Sequence, residues 1–145
     1  MIRVVKNPSI ILPTVAPLGT EVEAIADALE HVSLEAYIPE DNGSTINQLY
    51  EKTIFVSATE VVAAGVPGNL NVWIEISPYP TSVSVLYWAI LGLPATIVGT
   101  GVNGTLHTVA IPWNTYSPFF RAVVQSPVPL ATATWSVQVT YAGQG

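Results

Sequence analysis

The 145-residue chain contains no cysteine, four basic residues and one methionine. The missing cysteine excludes disulfides, thiol catalysis and thiolate metal sites, and leaves the redox compartment open. Arg3, Lys6, Lys52 and Arg121 are too few to form a basic stripe, so nucleic-acid binding is disfavoured. Charge of either sign is scarce: 10% of the residues, against about a quarter in ordinary globular domains. All ten acids lie at or before Glu75, and the 70 residues that follow carry one charge, Arg121. Long apolar runs are missing too. The densest, "VSVLYWAILGLPATIV" (83–98), is broken by Gly92 and Pro94 and is shorter than the roughly 20 residues of a spanning helix, so membrane insertion is not expected. Pro8 and Pro13 interrupt the N-terminal apolar stretch, and a secretory signal is not expected there.

Half of the residues are hydrophobic, which argues against disorder for the body of the chain. The length suits one domain that buries roughly two-thirds of its unfolded surface. From residue 29 onward the apolar residues alternate with period two. Val32, Leu34, Ala36 and Ile38 share a face, as do Ile54 and Val56, and Leu70, Val72, Ile74 and Ile76. Val83, Val85, Tyr87 and Ala89 predict a strand over 82–90, and Trp135, Val137, Val139 and Tyr141 predict the last strand. "GTLHTVAI" and "FFRAVVQS" read the same way. These runs are rich in Val, Ile, Thr and aromatics, which fit a pleated, half-buried surface.

Turn signals separate the runs: Asp41-Asn42-Gly43, Gly65-Val66-Pro67-Gly68, Pro78-Tyr79-Pro80, Gly92-Leu93-Pro94 and Pro127-Val128-Pro129. Asn103-Gly104 suits a two-residue hairpin. The expectation is an all-β protein: an antiparallel β-sandwich, jelly-roll-like, of seven or eight strands over residues 20–145. The segment 20–31 fits either a helix capped by Thr20 and Glu23 or an extended lead-in, with a lean to the latter. Residues 1–19, with three prolines and the triplet Ile10-Ile11-Leu12, read as an edge strand or as an arm laid across a neighbouring subunit.

Little here points to catalysis. His31 and His107 have no ligand-spaced partner, and no Gly-x-Ser-x-Gly elbow or phosphate-cradling loop occurs. "GTGVNG" (99–104) lacks both a following helix and a lysine. Glu40-Asp41-Asn42 does not match a calcium loop, and the sequons at Asn42 and Asn103 read as turns. The expectation is a protein with no enzymatic activity, cofactor or metal. Glu75 stands beside Trp73 in an apolar strand, where it can be a rim charge or the partner of Arg121 across the sheet.

A chain that gives up charge over half its length is expected to cover that half with other subunits, because interface cores are poor in charge and rich in aromatics. Ile10, Ile11, Leu12, Trp73, Trp88 and Trp113 are the candidate interface residues. The arm "PSIILPTVAPLG" and the strands "GVPGNLNVWIEISPYP" and "TWSVQVTYAG" resemble, in style and without a diagnostic motif, structural proteins of tailed-phage virions. The nearest in style are small capsid decoration, or cement, proteins. The resemblance implies a trimer seated on the major capsid protein at local three-fold positions, in the virion, adding stability without catalysis. A carbohydrate-binding or adhesive sandwich, with Trp73, Trp88, Trp113 or Tyr79 stacking on sugar rings, is the alternative.

Overall fold

A computed structural model of the chain describes residues 5–14, 21–37, 51–114 and 118–144. Among these, ten strands build two antiparallel sheets and no helix occurs. The strands are β1 (Val5–Leu12), β2 (Glu23–Ile25), β3 (His31–Val32), β4 (Ala36–Tyr37), β5 (Glu51–Val62), β6 (Leu70–Ser77), β7 (Ala89–Ile97), β8 (Leu106–Trp113), β9 (Phe119–Gln125) and β10 (Ala133–Gln144).

One sheet runs β1-β10-β5-β8, with β2 continuing beside β10 where β1 ends. The other runs β3-β9-β6-β7, with β4 beside β9. Taking β1 with β2 and β3 with β4 as single rows leaves eight positions, and the sheets read 1-8-3-6 and 2-7-4-5. Each row of the first half thus lies antiparallel to its counterpart from the second half, which is the jelly roll.

The alternation drives this arrangement. β5 and β10 pair without a break from Glu51↔Gln144 to Val62↔Ala133. Ile54, Val56 and Ala58 face inward with Trp135, Val137, Val139 and Tyr141. From the other sheet come Leu70, Val72, Ile74, Phe120, Ala122 and Val124. Between the sheets, Phe120 meets Trp113 and Tyr141 edge-on, each at 5.0 Å between ring centroids. Such pairs add about 0.5–1.5 kcal/mol beyond the area they bury.

Several expectations are corrected. Residues 82–88 are not a strand: Val83 and Ser84 both donate to the Pro80 carbonyl, and the local turn wins over extension. Strand β7 instead starts at Ala89 and runs through Gly92-Leu93-Pro94. Opposite Trp73 the pairing skips from Val72↔Ala95 to Ile74↔Leu91, so Gly92, Leu93 and Pro94 form a bulge. An outermost strand accommodates proline and a glycine at φ +75° because, among the described residues, one side of its ladder is unpaired.

Asn103-Gly104 does form a tight turn, with Gly104 at φ +81° and Thr105 donating to the Val102 carbonyl. It does not join a hairpin, since β7 and β8 lie in different sheets. In the run 29–40 the strand splits into β3 and β4: Leu34 turns outward while Ser33 is buried and bonds to Ala122 and Leu34 backbone groups. Residues 21–30 are extended and bent, with only β2 as regular structure, and β3 begins at His31. Ile38, Glu40-Asp41-Asn42 and the Asn42 sequon lie outside the described residues.

Candidate functional site

The candidate interface residues are dispersed. Ile11 and Leu12 belong to the core of the chain's own sandwich, where β1 pairs with β10. Ile10 is half-buried beside them. They form no free apolar arm in this fold. Trp113 also packs in the core, and Trp73 is 6% exposed although it sits on the outer side of its sheet.

Trp73, Trp88, Glu75 and Arg121 converge on that outer side. Glu75 and Arg121 are direct cross-strand partners on β6 and β9, as the alternation allowed. Arg121 donates through Nε to Glu75 Oε1 at 2.8 Å, and its Nη2 lies 2.8 Å from the same oxygen. Trp73 Nε1 donates to the other carboxylate oxygen at 3.3 Å. The guanidinium lies 4.1 Å from the centre of the Trp88 ring, a cation–π stack. The lone charge of the C-terminal half is therefore neutralised and covered within the chain.

Much of the exposed apolar surface comes from 79–98. Val83, Val85, Leu86 and Tyr87 stand out from the turn before β7, and Ile90 and Leu93 from β7 itself. Leu86 is 82% exposed and Leu93, at the tip of the bulge, 92%. Tyr79 packs on Tyr87 with ring centroids 5.3 Å apart, and Thr81 is tied to the Glu35 carboxylate through both its amide and its hydroxyl. These six exposed apolar side chains fall within the stretch 83–93 of the chain.

Two buried charges were not anticipated. Lys52 and Glu60 occupy inward-facing positions of β5, at either end of the row Ile54-Val56-Ala58. Lys52 Nζ lies 5.6 Å from the Trp113 ring centre, and burial pushes its ammonium pKa down. Glu60 is saturated with donors. Its carboxylate accepts from the Thr100 amide (2.9 and 3.0 Å), the Thr100 hydroxyl (2.8 Å), the Gly101 amide (2.8 Å) and His107 Nε2 (2.7 Å). Burial alone would raise its pKa. The bonds from His107, from the Thr100 and Gly101 amides and from the Thr100 hydroxyl outweigh that and hold it at about 2.

His107 in turn packs edge-on against Trp135 at 5.4 Å. The Glu60–His107 pair thus ties the 98–105 crossover to β5 and β8. Asn103 completes that anchoring by accepting from the Val62 amide at 2.9 Å.

His31 lies between two carboxylates, Nδ1 at 3.0 Å from Glu23 and Nε2 at 2.9 Å from Asp27. Partial burial works to lower its pKa, and the bonds to Asp27 and Glu23 outweigh it and raise the pKa. The cluster bridges β2 of one sheet to β3 of the other. Among the described residues no group of three His, Asp or Glu side chains is placed to hold a metal ion. No protein-family model matches the sequence, and neither does any curated protein.

Proposed function

We propose that the chain is a structural protein, without enzymatic activity, whose uncharged C-terminal half is contact surface in an assembly. Its most fitting role is capsid decoration or stabilisation in a virion, with the major capsid protein as partner and copies of itself as neighbours. The observation that carries the reading is the apolar stretch 79–98, which carries no charged residue and is exposed on the jelly roll. Burying it against another subunit removes apolar area from water, and no residue of 79–98 itself carries a charge. The fold is compatible, since jelly rolls recur in capsid proteins, but the same fold serves lectins and cupins, so the surface carries the argument. The virion role and a trimeric state come from the resemblance in sequence style.

The sugar-binding alternative draws no support from the tryptophans. Trp73 and Trp113 are buried and Arg121 covers one face of Trp88, while Tyr79 is exposed and packs on Tyr87.

Light scattering coupled to size exclusion tests the reading. The expected mass is a multiple of the 15.4 kDa chain, about 46 kDa for the trimer. A species of 15.4 kDa at every concentration would overturn self-assembly.

A further inference from the structure

The molecule carries an apolar projection on one sheet and an apolar groove on the other. The projection is Leu93, on the bulge of β7 and 92% exposed. The groove, about 310 Å³, lies on the outer side of the other sheet and is lined chiefly by Phe55, Ser57, Thr108, Ala110, Gln138 and Thr140. The register explains it. Phe55 on β5 lies between Thr140 of β10 and Ala110 of β8, and the next outward residue, Ser57, lies between Gln138 and Thr108. One large side chain, Phe55, thus stands beside a floor of small ones.

Resting on the assembly reading above, we propose that Leu93 of one copy inserts into the Phe55 groove of a second copy. Three observations favour a copy of this chain as the occupant. First, neither surface carries a charge: no groove residue is ionisable, and 76–120 contains no Asp, Glu, Lys or Arg. Chains of net charge −6 repel one another, so a self-contact is favoured where the contacting residues themselves carry no carboxylate.

Second, the bulge and Pro94 blunt β7 against strand-to-strand pairing, so recognition there falls to the protruding side chain. Third, the sizes agree. A cavity of about 150 Å³ holds a benzene ring, so the groove admits the leucine side chain with one neighbour. Because projection and groove are different patches, the contact is heterologous. It closes into a ring, the trimer included, if the rotation between copies allows.

The absence of native cysteine makes thiol probes unambiguous. Leu93→Cys and Ala110→Cys are prepared as separate variants, both at exposed positions, with Val128→Cys as an exposed control. Mixing L93C with A110C under mild oxidation should give a cross-linked dimer. Neither variant alone should do so, nor should L93C mixed with V128C. In the same assay format, Leu93→Glu should weaken self-association at least tenfold with an unchanged unfolding transition.

Cross-linking of L93C to itself would overturn the proposal in favour of a two-fold contact between β7 edges. An oligomer by light scattering with no 93–110 cross-link would overturn it while leaving the assembly reading intact. A monomer under all conditions would overturn it together with self-assembly.

Discussion

Replacing Glu60 by alanine should destabilise the chain by about 3–5 kcal/mol, the range for removing one partner of a buried charged network. Glu60 is fully buried, and four donor groups of Thr100, Gly101 and His107 would lose their acceptor together. The 98–105 crossover, which returns the chain from one sheet to the other, hangs on those bonds. Glu60→Gln keeps the shape and part of the hydrogen bonding, so its loss should be smaller.

The pair of variants also separates charge from packing through pH. The folded-state pKa is about 2 against an ordinary 4.5. The unfolded chain therefore takes up this proton first as pH falls. The contribution is complete above about pH 4.5 and is lost as pH falls towards 2. Urea unfolding between pH 7 and pH 2 should show that acid-side loss in the parent and a weaker one in the glutamine variant. Equal slopes in both would mean that the carboxylate is not held as described.

Trp135→Ala should cost about 3–5 kcal/mol, as large aromatic truncations in packed cores do. The indole is 1% exposed, lies edge-on to His107, and donates from Nε1 to the Gly68 carbonyl at 2.7 Å. That bond pins the loop between β5 and β6. Gly68 also packs closely against the 127–129 loop, since a Cβ there would overlap the Val128 carbonyl. Trp135→Phe should cost about 1–3 kcal/mol, mainly from leaving that carbonyl unpaired. Trp135 and Glu60 are also direct cross-strand partners and share His107. The double variant should therefore lose less than the two single losses combined, by about 0.5–3 kcal/mol. Strict additivity in chemical denaturation would contradict a shared network.

The fold class was legible because a half-buried strand writes its burial into every second residue. On β6, β9 and β10 the inward residues fall on the alternating positions. The same period also places residues 52, 54, 56, 58 and 60 on one face. The signal for a buried lysine and a buried glutamate was therefore present and was masked only by their charge. It could not reveal their partners, because Thr100, Gly101 and His107 lie about 40 residues further along the chain.

Period two likewise says nothing about which strand lies beside which, so the 1-8-3-6 and 2-7-4-5 order is new information from the structure. Residues 82–88 show where the pattern misleads. Val83, Val85 and Tyr87 alternate as a strand would, yet all three are exposed, and the Pro80 carbonyl draws the backbone into a turn. Apolar alternation there belongs to an exposed surface instead of a core. The dispersal of Ile11, Leu12, Trp73 and Trp113 has the same origin, since apolar sequence alone does not distinguish an interface from a core.

That exposed surface is the centre of the account, and hydrogen exchange at low and high protein concentration tests it most directly. The turn 81–88 has few backbone hydrogen bonds and should exchange quickly in the dilute chain. On concentration, peptides covering 79–98 should slow markedly. Exchange in 79–98 that is independent of concentration, with slowing elsewhere or nowhere, would contradict the claim that the charge-free half is contact surface.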